Sequence, residues 1–148
     1  MKPLYHAIRL DRSISTPLCY QIKDYLMQYI RSGELPDGEM IPPEEELCEL
    51  LNVSRPTVRQ ALTDLVHEGY KLLSHPLSGS IKPNETPFKS ILISAVKEPL
   101  DYQSVEIIEN SIVTCDKFKV KFPVLPEQVR KDFQLLDCTL IKSALSQI

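Results

Sequence analysis

Between positions 55 and 60 the chain places Arg55, Thr57, Arg59 and Gln60, four side chains whose chemistry is hydrogen bonding to anions and to polar ring edges. A guanidinium presents a planar fork of N–H donors, an amide offers both donors and an acceptor, and a hydroxyl can do either. Ser54 and Thr63 add two more hydroxyls within the same short stretch. Gathered at the start of one helix, such groups suit phosphate oxygens and base edges in a major groove.

That grouping requires a helix, and the sequence supplies its signals. Ser54 is a good N-cap, since its hydroxyl can accept from an orphan N–H of the first turn. Pro56 falls in that turn, where its missing donor costs little. Val58, Ala61, Leu62, Leu65 and Val66 recur at three- and four-residue steps and make one apolar face. Arg55, Thr57, Arg59, Gln60 and Thr63 fall on the other side, and Gly69 is placed to end the helix. A capped amphipathic helix with exposed arginines is by itself more often an ordinary solvated surface helix. The preceding segment argues otherwise. Glu44 to Leu51 carries Leu47, Leu50 and Leu51 on one face, and Asn52 tolerates the left-handed turn that follows. Helix, short turn and a second helix with a polar leading edge make a helix-turn-helix.

Upstream, Thr16 and Pro17 read as N-cap and first residue of a scaffold helix with Leu18, Ile22, Tyr25, Leu26, Tyr29 and Ile30 on its apolar stripe, Lys23 pointing elsewhere, and Gly33 at its end. Residues 1–14 read as extended and mobile, with Arg9 and Arg12 solvated. Downstream, Tyr70, Leu72 and Leu73 suit a strand, Pro76 to Gly79 a turn, and Ser80-Ile81 a returning strand, which together would form a wing.

At these residues the sequence resembles the DNA-binding domain of GntR-type bacterial transcription regulators. The matching residues are Pro17-Leu18, Gln21-Ile22, Ile30, Gly33-Glu34-Leu35, Pro36, Gly38, Pro42, Glu44, Glu46-Leu47 and nearly all of Val53 to Leu62. The resemblance spans about residues 8–75 and implies a winged helix-turn-helix that contacts double-stranded DNA through Ser54, Arg55, Pro56, Thr57, Arg59, Gln60, Thr63 and, at the wing, Gly79 and Ser80. The chain departs from the family pattern at Pro43, where a capping serine is usual, and at Glu45, where an arginine commonly meets DNA. The wing also lacks the family's lysine.

Pro83 to Pro87 reads as part of a linker over residues 83–90, with two prolines among polar residues. Beyond it, Val105, Ile107, Ile112, Val113, Phe118, Val120 and Phe122 read as strand-like, Pro126 to Leu136 as a helix, and Cys138 to Leu145 as a strand or a helix. Val124 to Val129, followed by Leu135-Leu136, resembles the start of the UbiC-associated effector domain of the HutC branch of that family. The resemblance implies a truncated α+β module over residues 91–148. No residue there is assigned to a ligand.

The expected fold class is therefore α+β, with a winged helix-turn-helix over residues 8–82 and a short effector-like or dimerisation module after it. Cys19, Cys48, Cys115 and Cys138 have no metal-ligand spacing and read as reduced core or near-core thiols, and His6, His67 and His75 form no cluster. Nothing predicts a metal, a cofactor or a catalytic constellation. No apolar run would cross a bilayer and no export signal is legible, so the expected compartment is the cytoplasm. The net charge is −3, and residues 1–84 hold nine Lys/Arg against eleven Asp/Glu, an unusual balance for a DNA binder. The expectation is a sequence-specific, homodimeric transcription regulator, with a small-molecule effector left open. The alternatives are a diverged relative that pairs with other chains without binding DNA, or a metabolite sensor acting through the C-terminal module.

Overall fold

A computed structural model describes residues 8–34, 44–78, 82–86, 88–119 and 125–147. Helix α1 (Leu18–Ser32) buries Ile22, Leu26, Met27, Tyr29 and Ile30, the face its periodicity marks out. Its N-cap is Pro17 rather than Thr16, because Pro17 has an extended ψ of 144° and the helical dihedrals begin one residue later. Gly33 closes the helix in the left-handed region at φ 74°, its N–H bonded to Ile30 O. Lys23 does not point into solvent as expected. It is buried against Glu68, whose Oε1 lies 3.3 Å from its ammonium.

The described part of the N-terminal stretch is docked, not loose. Ile8 joins the core, Asp11 N donates to Gln21 Oε1 at 2.8 Å, and Arg12 Nη2 donates to Leu51 O and Asn52 O at 3.3 and 2.5 Å. The guanidinium thus meets the carbonyl end of the second helix, where the helix dipole favours a cation.

Helix α2 (Glu44–Leu51) and helix α3 (Arg55–His67) follow the expected bounds. Asn52 makes the left-handed turn between them at φ 50°, and Val53 N reaches back to Cys48 O. Leu26, Leu47, Val58, Ala61 and Leu65 meet in one fully buried cluster where α1, α2 and α3 converge. Burial of each such large aliphatic side chain contributes about 1.5–3 kcal/mol.

Strand β1 (Tyr70–Leu72) pairs antiparallel with β2 (Ile93–Lys97) through Tyr70↔Lys97 and Leu72↔Ile93, with a shift of register between them. The partner of β1 among the described residues is thus a strand from beyond the expected linker. Ser80-Ile81, read as the returning strand, lies outside the described residues, as does the wing tip with Gly79. Three serine hydroxyls take up backbone donors that the irregular ladder leaves over: Ser94 Oγ accepts from Lys71 N, Ser104 Oγ from Leu72 N and Ser74 Oγ from Leu92 N.

Helix α4 (Tyr102–Asp116) replaces the strands expected around Val105, Ile107, Ile112 and Val113. Asp101 caps it by accepting from Ser104 N at 3.0 Å, and the buried positions Ser104, Ile108 and Ser111 step by four and three. The β-branched residues suggested a strand, but this cap and helical burial pattern prevail over their weak local preference. Helix α5 (Glu127–Leu145) joins the two C-terminal segments that were read separately, with Pro126 as its N-cap. Val120 and Phe122 lie outside the described residues. Helices with one small two-stranded sheet make the fold α+β.

Candidate nucleic-acid interface

The first turn of α3 is built as its sequence requires. Ser54 holds an extended conformation, φ −78° and ψ 157°, and its Oγ accepts from Thr57 N and lies 2.9 Å from Thr57 Oγ1. Pro56 occupies the turn without breaking a bond. Ser54, Pro56 and Gln60 are exposed, and Arg55, Thr57 and Arg59 are partly covered. Gln60 Nε2 donates to Asp64 Oδ1 one turn on, at 2.8 Å. Thr63 is not on the free face: it is buried, and its hydroxyl donates to Arg59 O.

Arg59 is the hub of a network the sequence does not reveal. Its Nε donates to Glu44 Oε2 at 3.1 Å, its Nη2 donates to Asn84 Oδ1 at 3.1 Å, and its Nη1 lies 3.9 Å from Asp116. One guanidinium thereby joins α2, α3, α4 and the stretch read as a linker. Asn84, at φ 63°, completes the join by donating from Nδ2 to Cys115 O and Phe118 O, each at 2.8 Å. Asn is among the few side chains that visit the left-handed region readily, which is the only local signal that could have marked this position. Arg55 Nε stands 3.8 Å from the other oxygen of Glu44.

Glu44 opens α2, where the helix dipole favours an acid, and it also counters both Arg55 and Arg59. Burial pushes its carboxyl above the usual carboxylate range, opposed by the charges of Arg59 and Arg55 and by the Arg59 hydrogen bond. Burial and the neighbouring Glu44 push the Cys48 thiol up to about 11. Cys48 and Cys115 are partly buried, as near-core thiols should be, whereas Cys138 is exposed, against expectation. Glu45 faces Arg130 of α5 at 3.9 Å, and the Arg130 guanidinium lies over the Phe88 ring.

A family model described as GrdX-like protein matches residues 41–146. The chain belongs to this GrdX-like family. The matched span takes in α2, α3, both strands, α4 and α5. Among curated proteins the chain is 35% identical over 89 residues to the uncharacterized HTH-type transcriptional regulator YurK of Bacillus subtilis, covering 60% of this chain and 37% of that one. It is 32% identical over 114 residues to the HTH-type transcriptional repressor NagR of the same organism, covering 69% and 47%. The fatty acid metabolism regulator protein of Serratia proteamaculans is 32% identical over 90 residues, covering 60% and 37%. These relatives are GntR-type transcription regulators, and the chain spans less than half the length of each. No solved structure matches. In this GrdX-like chain no described helix is long and apolar enough to cross a membrane. Among the described residues no group of His, Cys, Asp or Glu could hold a metal ion.

Proposed function

We propose that the chain is a sequence-specific, DNA-binding transcription regulator of winged helix-turn-helix type, with the N-terminal end of α3 as its reading head. The observation that carries this reading is the α2–Asn52–α3 unit, with its left-handed turn and Ser54 cap, in a chain related to HTH-type regulators. Ser54, Pro56, Thr57 and Gln60 form the accessible edge that enters the major groove, flanked by Arg55. Arg59 reaches DNA on exchanging Glu44 for a phosphate or a base edge, and Gly79 and Ser80 add contacts to DNA beside it. Thr63 supports the helix from inside. Such regulators read two half-sites about one turn of DNA apart, so the working form is a homodimer, and the site of action is the cytoplasm.

The test is binding of the full chain to genomic fragments over a range of salt concentrations. Losing one phosphate contact lowers affinity for all sequences alike and flattens the salt slope by about one. Losing a base contact costs about 1–3 kcal/mol at one position of the site. If Arg55→Ala, Arg59→Ala and Gln60→Ala all leave affinity, selectivity and slope unchanged, the assignment of α3 is wrong.

A further inference from the structure

Between α3, α4 and the segment that crosses from one to the other lies a cavity of about 100 Å³. This cavity draws its walls from both halves of the chain. Leu62 of α3 and Ile108 and Ile112 of α4 make an apolar wall, and Arg59, Glu44 and Lys89 bring charge to it. The volume falls below the roughly 300–1,000 Å³ of pockets for drug-sized ligands. It approaches the roughly 150 Å³ of an apolar cavity that admits benzene.

The charges lining the cavity are unbalanced in one direction. Arg55, Arg59 and Lys89 face it, against Glu44 and Glu45. One oxygen of Glu44 is bonded to Arg59 at 3.1 Å and the other, which has no hydrogen-bond partner, stands 3.8 Å from Arg55, while Glu45 is drawn toward Arg130 at 3.9 Å. Lys89 donates to Ser78 O at 2.8 Å, and among the described residues no carboxylate lies within ion-pair distance of it. An ammonium partly withdrawn from water and paired only with a carbonyl leaves donors for an anion. Burial holds the Lys89 ammonium below its ordinary range, against the opposing charge of Asp137, which lies beyond ion-pair distance. A phosphate ester would bring more charge than this surplus balances, and a neutral hydrocarbon would leave Lys89 unanswered.

We propose that this cavity binds a short aliphatic monocarboxylate of about four to six heavy atoms, its carboxylate against Lys89 and its chain against Leu62, Ile108 and Ile112. This site shares Arg55 and Arg59 with the α3 edge proposed for DNA, but its existence does not rest on that reading. Because Arg59 and Glu44 line it, a bound carboxylate also sits beside the network that holds α3, α4 and Asn84 together.

Titration of the full-length chain with sodium butyrate, followed by calorimetry and by methyl NMR of the leucines and isoleucines, tests the proposal directly. Saturable binding is expected, with shifts centred on Leu62, Ile108 and Ile112. The same titrations with n-butanol and with butylammonium chloride should give affinities at least about tenfold weaker, the worth of one charge-assisted hydrogen bond. Lys89→Met should weaken butyrate by at least about tenfold and leave butanol unaffected. Ile112→Phe, which fills the cavity, should abolish butyrate binding with the cation retained. Absence of saturable butyrate binding, or equal binding of butyrate and butanol by the native chain, overturns the proposal without recourse to a variant. Undiminished binding in both folded variants overturns it as well.

Discussion

A glutamate stands at each end of α3, and the two are held in opposite ways. Glu68, just past the C-terminal end, has one oxygen 3.3 Å from Lys23 and the other 2.9 Å from Lys97, so both are answered by ammonium groups. Hydrogen bonds from Lys97 and Lys23 hold its carboxyl below the usual range. Glu44, at the N-terminal end, has one oxygen bonded to Arg59 and the other buried without a hydrogen-bond partner. Burial raises its carboxyl in spite of the two arginines. The same residue type with the same kind of neighbour thus makes a settled brace at one end and an unsatisfied clamp at the other. A settled brace suits the end that joins α1, α3 and the sheet. A clamp that is only half satisfied suits an end whose arginines must exchange partners to meet DNA.

The largest expected effect lies at the settled end. Gly69 has φ 108°, and a Cβ there would clash with the carbonyl oxygen of Glu98, the residue after β2, whose own N–H donates to Gly69 O. Gly69→Ala combines a strained φ with a backbone clash and should cost about 2–5 kcal/mol in urea unfolding. A loss under about 1 kcal/mol would mean that this end is as adjustable as the other.

Next comes Glu68→Gln. It removes the carboxylate from the Lys23 ammonium, whose side chain is 11% exposed, leaving it the exposed Asp24 at 3.9 Å and the Tyr20 ring at 4.9 Å, and should cost about 1–3 kcal/mol. Because the folded carboxyl of Glu68 lies below its ordinary 4.5, its contribution is complete above that pH and is lost as pH falls through the folded value. The variant should therefore lose less further stability on acidification than the native chain.

Glu44→Gln should change stability at neutral pH by about 1 kcal/mol or less, since the carboxylate it removes was costly to bury. The sign of its pH dependence is reversed. A carboxyl raised above 4.5 in the fold adds stability when it is protonated, and that stability is lost as pH rises from 4.5 through the folded value. Without it, the fall in stability on acidification becomes steeper, so the two glutamine variants should bend the pH–stability curve in opposite directions. Superimposable curves would erase the distinction between the ends. Where DNA binding is measured, the same variant frees Arg59 and should tighten it, steepening the salt slope by about one.

The smallest effect is expected at Glu45→Arg, which replaces a loose pairing with Arg130 and an acid in the first turn of α2. A loss of about 0.3–1 kcal/mol by thermal unfolding is the expected outcome. A larger loss would show that α2 and α5 depend on each other more than a 3.9 Å ion pair implies.

Sequence alone determined what is encoded within a few residues of itself. Ser54 and Pro56 start α3, Asn52 turns left-handed, Gly33 ends α1, and the leucines of α2 face the core, because capping, φ preference and helical period are local properties. Period failed at Val105 to Val113, where β-branched residues imitate a strand and the true signal was Asp101 with Ser104. It also gave α5 in two pieces.

Only the tertiary structure decided what meets across long stretches of chain. The pairing of β1 with β2 and the closure of a cavity between α3 and α4 depend on where distant segments pack. The placement of Arg59 among Glu44, Asn84 and Asp116 depends on α2, α4 and the segment between β1 and β2 at once. A polar face on a helix states that its side chains seek partners. Whether those partners are water, DNA or the protein's own carboxylates is fixed by geometry, since a charge–charge contact weakens steeply with distance and exposure to solvent.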